Sequence, residues 1–199
     1  WQESATGPIH GYAAHISATG TKTDTPVLET PQSLSVVGAE ELETIKPQSL
    51  QDALAYVAGV SRTEGSDRTT DGLFLRGFQS SNVGTYLRDG TPYTVNYYNG
   101  RQEPYGLERI EVLKGAASVL YGSSAPGGIV NTVSKRPTTE SMRELNLELG
   151  SFARKQISGD FAGPLGDSGQ WSYRLTFLGR DSNSFVQYVP DDRSYIAPA

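Results

Sequence analysis

The sequence predicts an α+β domain, a small mixed β-sheet with short helices and long loops, followed by a run of antiparallel strands. Three observations carry that expectation. Up to residue 137, brief apolar stretches are separated by polar, glycine-rich connections and short helical patterns. Beyond Pro137 the pattern becomes a strict two-residue alternation, in segments long enough for tilted membrane strands. Glycine is frequent at 22 of 199 residues and hydrophobic residues reach only 36%. No run approaches the ~18 apolar residues of a transmembrane helix, which leaves a β-barrel open.

Residues 1–30, rich in Thr, Ser, Gly and Ala without an apolar period, read as an extended or weakly ordered arm. Ser33–Val37 is a short strand and Ala39–Ile45 a short acidic helix, stopped by Lys46-Pro47 because a residue before proline avoids the α region. Ser49 caps a second helix with Asp52 in capping-box spacing. Leu50, Ala53, Leu54 and Val57 form its apolar face and Gly59 its left-handed stop. After a polar loop at 61–72, strand patterns return at Leu73–Phe78 and Gly84–Leu87, with Asp89-Gly90 as a hairpin turn. Tyr93–Arg101 is a loop or hairpin crowded with aromatics and amides. Arg109–Leu113 is a strand, Ala116–Tyr121 a single helical turn, and Ile129–Ser134 another strand. Between the last two lies LYGSSAPGG (120–128), a composition used where backbone must reach positive φ or lie very close to something.

After Pro137, Leu145, Leu147 and Leu149 alternate with Glu144, Asn146 and Glu148. A tight Gly150-Ser151 turn leads to Ile157, Gly159 and Phe161 alternating with Gln156, Ser158 and Asp160. A second turn over 163–170 leads into Trp171–Arg180. Membrane barrel strands and a soluble antiparallel sheet with one wet face share this period.

Most chemistry is excluded. The net charge of −5 has no basic stripe, so nucleic acid is not expected as a partner. With no cysteine there is no disulfide, thiolate metal site or thiol nucleophile, and His10 and His15 read as ordinary solvated residues. Neither phosphate-binding glycine motif occurs, and Ser118, Ser123 and Ser124 lack a histidine base. The EELE run (40–43) and the carboxylate pairs Glu108/Glu111 and Asp191/Asp192 read as surface charge. No catalytic group, resident metal or intrinsic cofactor is expected. The chain opens at Trp1 without a methionine or an export signal, so a signal already removed is the expectation.

What remains suggests recognition. Tyr93, Asn96, Tyr97, Tyr98, Asn99 and Arg101 bring rings, hydroxyls and amides together. Arg76 and Lys114 sit within strand patterns between apolar neighbours, and inward charges ask for acidic partners.

The stretches SATGTKTDTPVLETPQSLSVV (17–37), LFLRGF (73–78), YGLERIEVLKGAASVLYGSSAPGGIVNTVSKRPT (105–138) and WSYRLTFLGR (171–180) together resemble a TonB-dependent ferric-siderophore receptor, with most likeness to the ferrichrome and hydroxamate branch. In that family a glycine-rich plug domain sits inside an outer-membrane β-barrel of a Gram-negative bacterium. The resemblance implies an N-terminal arm at 1–30, a plug at 31–137 and the first barrel strands at 138–199. It implies that the chain is an N-terminal piece of a longer receptor importing a ferric siderophore. Iron would arrive as the chelate, with TonB and outer-membrane lipid as further partners and phage or bacteriocin exploitation as a possibility.

The siderophore-binding positions implied are Arg62, Arg68, Ser81, Asn82, Val83, Gly84, Tyr97 and Tyr98. Arg76 and Lys114 match basic residues that pair with barrel glutamates, although the family more often has arginine at the second. LYGSSAPGG would let the plug backbone pack against the barrel wall. Gly7, Pro8, Ile9, His10 and Gly11 stand where a short switch helix would be, marginal for its glycine and proline content. The box that binds TonB normally precedes this point and is not found. Two alternatives stay open: the same family with another cargo, such as a catecholate chelate, a cobalamin or an oligosaccharide, or a soluble α+β ligand-binding module.

Overall fold

The structure is a computed structural model, described over residues 4–9, 11–63, 70–80, 84–93, 101–166 and 170–199. It divides into two compact units, Trp1–Ser134 and Lys135–Ala199.

In the first unit the arm carries a two-residue ladder, β1 (Ile16–Ser17) against β2 (Thr25–Pro26). β3 (Ser33–Gly38) leads into α1 (Ala39–Ile45), which Lys46 closes at φ 49 with its N–H on the Leu42 carbonyl. In α2 (Leu50–Ala53) the Ser49 hydroxyl accepts the Asp52 N–H at 3.1 Å, the cap that the spacing implies. The helix itself stops four residues earlier than its apolar period suggests. Beyond Ala53, Ala55, Val57 and Val60 each donate to the carbonyl three residues back, and Gly59 turns the chain at φ 78. Those tighter turns deliver Val60 to a strand while Leu50, Ala53 and Leu54 stay buried and Val57 packs on the same core. Ser49→Ala is expected to cost about 1 kcal/mol of local stability, read as roughly fivefold faster amide exchange at Asp52 in the full-length receptor.

β4 (Val60–Arg62), β5 (Leu73–Leu75) and β6 (Phe78–Gln79) form a small sheet of their own. The LFLRGF stretch is therefore not one strand. Arg76 and Gly77, at φ 49 and φ 82, make the turn between β5 and β6, and Arg76 is exposed. β7 (Tyr86–Arg88) and β8 (Thr91–Pro92) flank the Asp89-Gly90 turn, which has positive φ at both residues. β9 (Leu107–Lys114), α3 (Ser118–Tyr121) and β10 (Gly128–Ser134) complete the unit. The main sheet runs β3-β9-β10-β7-β8, with β10 antiparallel to β9 and parallel to β7.

The core gathers Leu50, Leu54, Leu73, Leu75, Tyr86, Ile110, Val112 and Val130, each such side chain contributing about 1.5–3 kcal/mol by burial. β9 is buried on both faces, so the alternation of Arg109 and Glu111 with Ile110 and Val112 does not mark a wet face. Glu108 and Glu111 are buried rather than surface charges, and the arm covers Glu111.

The second unit is an antiparallel meander of β11 (Met142–Leu149), β12 (Lys155–Leu165), β13 (Trp171–Asp181) and β14 (Arg193–Pro198). Gly150-Ser151 belongs to a longer loop in which Phe152 and Ala153 take positive φ and Gly150 N–H bonds the Arg154 carbonyl. Gly163, Pro164 and Leu165 remain in β12, and the next turn begins at Gly166, φ 75.

The polarity of this sheet is inverted. Leu147 is 76% exposed, Leu149 86%, Trp171 72% and Ile196 71%, whereas Ser158, Asp160, Arg174 and Thr176 are buried. Asp160 accepts Arg174 Nε and Nη2 at 2.9 and 2.8 Å, Lys135 Nζ at 2.7 Å and Thr176 Oγ1 at 3.3 Å. Asp191, also buried, stands 3.6 Å from Arg180 rather than on the surface. A soluble sheet hides its apolar face, whereas a barrel strand turns that face to lipid and its polar face inward.

Candidate functional site

The glycine-rich stretch is shaped by its own unit. A Cβ on Gly128, whose φ is 133, would overlap the Leu113 carbonyl oxygen, and one on Gly127 would overlap that of Leu75. Gly84, φ 87, is pressed onto the Ser123 carbonyl in the same way. At Gly127 and Gly128 the close approach inferred for LYGSSAPGG is made to backbone of the same unit. Gly84, expected among the siderophore-binding positions, packs on the backbone of Ser123 and Ser124.

Of the other positions expected to bind a siderophore, Arg62 ends β4 and donates from Nη2 to Asp52 Oδ1 at 2.8 Å, a partly exposed pair. Arg68, Ser81, Asn82, Val83, Tyr97 and Tyr98 lie outside the described residues, as does His10. The stretch expected as a switch helix is not helical in its described part. Pro8 offers no N–H, Gly11 sits at φ 81, and Gly7 N–H closes a turn on the Ser4 carbonyl. Ile9 is buried and packs over Gly38.

The two basic residues stand together. Lys114 ends β9 half-buried, its Nζ donating to Ser35 Oγ at 2.8 Å. Arg76 Nη1 lies 3.4 Å from where a Cβ on Gly115 would stand. Burial, and then the Arg76 charge, hold the Lys114 amine below its usual range. No carboxylate among the described residues pairs with either.

Sequence reasoning missed a polar cluster beneath the arm. Glu111 accepts Ser17 Oγ at 2.8 Å and Thr19 Oγ1, and stands 3.4 Å from Arg109 Nε. Arg109 donates to the Ile16 and Ser4 carbonyls at 3.2 and 2.6 Å, and Asn131 and Tyr121 reach Thr19 at 2.9 and 2.8 Å. Burial pushes the Glu111 carboxyl up, opposed by Thr19, Arg109 and Ser17. Burial, and then Glu111, raise the Tyr121 hydroxyl. Among the described residues no three His, Asp or Glu converge as a metal site.

Comparison with known proteins places these features in one class. The TonB-dependent Receptor Plug Domain family matches residues 26–129. The chain belongs to the TonB-dependent receptors, outer-membrane proteins of Gram-negative bacteria, and comprises a plug followed by antiparallel barrel strands. It is 47% identical to the ferrichrome outer membrane transporter/phage receptor of Escherichia coli K12, covering 100% of this chain and 27% of that protein. It is 36% identical to the metal-pseudopaline receptor CntO of Pseudomonas aeruginosa, over 99% of this chain and 27% of the relative. The closed form of the ferric-catecholate import receptor Fiu from E. coli K12 superposes with a TM-score of 0.81 at 25% identity, over 99% of this chain and 26% of that one. The chain thus spans about a quarter of the length of the relatives it matches.

Proposed function

We propose that this chain is the plug and first wall strands of a receptor that imports a ferric siderophore, of hydroxamate type, across the outer membrane. The work is binding and gated passage, without catalysis. The chelate carries the iron, and the outward plug loops meet it with neutral groups: Tyr97, Tyr98, Asn82 and Ser81, with Gly84, Val83, Arg62 and Arg68 beside them. The observation that carries this reading is a loop set rich in Tyr, Asn and Ser, in a chain 47% identical to a transporter named for ferrichrome. A catecholate chelate, strongly anionic, would want several unengaged cations. Arg62 is held by Asp52, and Arg88 Nε donates to Ser134 at 3.3 Å, which supports the neutral cargo.

Arg76 and Lys114, two cations with no carboxylate partner among the described residues, are suited to pair with glutamates of the barrel wall. The arm, including Gly7–Gly11, would change its contacts on loading, and TonB would supply the energy. Phages or bacteriocins would use the same outer face.

The test is a fluorescence titration of the full-length receptor in detergent with ferric ferrichrome, ferric ferrioxamine and a ferric catecholate, with iron-free chelators as controls. Saturable quenching by the hydroxamates at sub-micromolar concentration is expected, weakened at least tenfold in Tyr97→Ala. Preference for the catecholate would overturn the cargo, and silence toward every ferric chelate would remove the siderophore.

A further inference from the structure

Asp71 is fully buried, and its two carboxylate oxygens serve different segments. Oδ1 accepts the Leu50 N–H at 3.2 Å and Oδ2 the Gln102 N–H at 2.6 Å. Its backbone carbonyl accepts the Tyr86 hydroxyl at 2.8 Å, and that hydroxyl also bonds Ser80 Oγ at 2.9 Å. Burial drives the Tyr86 phenol far above its ordinary range, so this hydroxyl stays a donor.

Asp71, Ser80 and Gln102 flank separate segments, while Leu50 opens α2 and Tyr86 lies in β7. Asp71 stands just after the 64–69 segment, whose other root, Thr63, is held on the Gly72 carbonyl by its N–H at 3.4 Å and its hydroxyl at 3.2 Å. Ser80 immediately precedes 81–83. Gln102 follows 94–100, and Tyr93, at the other root, donates its N–H to the Tyr86 carbonyl at 2.8 Å. The flanks of three separate segments thus meet at one Asp71–Tyr86 pair. A buried carboxylate costs free energy unless each oxygen is satisfied. Here each oxygen is spent on a backbone N–H from a different segment, which fixes geometry between segments.

We infer that Asp71 is a positioning residue for cargo binding, tying together the residues that flank the 64–69, 81–83 and 94–100 segments without touching the chelate. The inference rests on the cargo role proposed for those loops. Asparagine is the informative replacement, because it keeps one acceptor and turns an amide N–H₂ toward the other donor.

In the full-length receptor in detergent, Asp71→Asn is expected to weaken ferric ferrichrome binding about tenfold. It should raise amide exchange at Leu50, Gln102 and the loops while leaving β11–β13 unchanged. Tyr86→Phe keeps both carboxylate bonds and is expected to weaken binding about threefold. In the double variant Asp71→Asn/Tyr97→Ala the two losses should fall short of additive, since Asp71 acts through the loop that carries Tyr97. A lowered unfolding midpoint with unchanged affinity in the folded receptor would overturn the inference, as would unchanged loop exchange. If Asp71→Asn does not fold, Tyr86→Phe carries both readouts. If the parent binds no ferric chelate, the cargo reading fails, while the exchange arm still decides whether Asp71 holds the loops.

Discussion

Glu111→Ala in the full-length receptor is expected to destabilise the plug by about 3–5 kcal/mol, because it removes the buried carboxylate that stands 3.4 Å from a buried guanidinium. Arg109 and Glu111 are 0% and 1% exposed. The variant also strips the acceptor from the Ser17 and Thr19 hydroxyls, so the arm should loosen first. The measurement is the urea midpoint of plug unfolding, with amide exchange over residues 15–20 reporting the arm. Replacing both partners together, as Arg109→Leu with Glu111→Leu, should cost less than the single change, since both buried charges are removed together. A double variant worse than Glu111→Ala would show that the value lies in Arg109's grip on the Ile16 and Ser4 carbonyls instead.

The same carboxyl predicts a pH dependence. Its folded-state pKa is raised, so the unfolded chain loses this proton first as pH rises. The stabilisation is fully present below the unfolded carboxylate value, about 4.3, and is lost as pH climbs through the folded one. Glu111→Gln should flatten the stability profile across that window, and an unchanged profile would count against the burial argument.

Gly128→Val carries the second large effect, with about 3 kcal/mol or more expected from unfolding experiments on the same receptor. A Cβ there meets the Leu113 carbonyl at a φ of 133, where β9 and β10 pair and neither backbone can retreat cheaply. Gly122→Ala is the control, because its φ is 70 but nothing lies within 4 Å of a Cβ. Only the left-handed penalty of about 1–2 kcal/mol should remain there. Equal losses at the two positions would mean that close backbone approach is not what Gly128 provides.

Local rules are legible in the amino-acid sequence. The Ser49 cap, the Asp89-Gly90 turn, the stop at Lys46-Pro47 and the alternation of 143–180 each depend on residues a few positions apart. Arg76 defeats such rules because a two-residue turn flanked by Leu75 and Phe78 looks like an unbroken strand, and Gly77 is its one hint. Glu111 defeats them because alternation reports two faces and not what covers them. Its cover comes from Ser17 and Thr19, more than ninety residues away. Which face of the second unit is hidden is undecidable from period alone and rests on exposure. In the site, the resemblance points to loop tips, while the Asp71 anchor escapes notice because one aspartate before a strand makes no pattern.

The four-stranded wall ends on β11 at one side and β14 at the other. Open backbone edges are not tolerated in lipid, so each of these strands is a template awaiting a neighbour. β11 is a demanding template: a slip of one residue in its partner would exchange the faces of every incoming side chain. Opposite Leu145, Leu147 and Leu149 only an apolar set can face the membrane, and opposite Glu144, Asn146 and Glu148 only a polar one suits the lumen. A partner strand for β11 is thus expected to alternate in phase with it, since a slip of one residue would set apolar side chains toward the lumen and polar ones toward lipid.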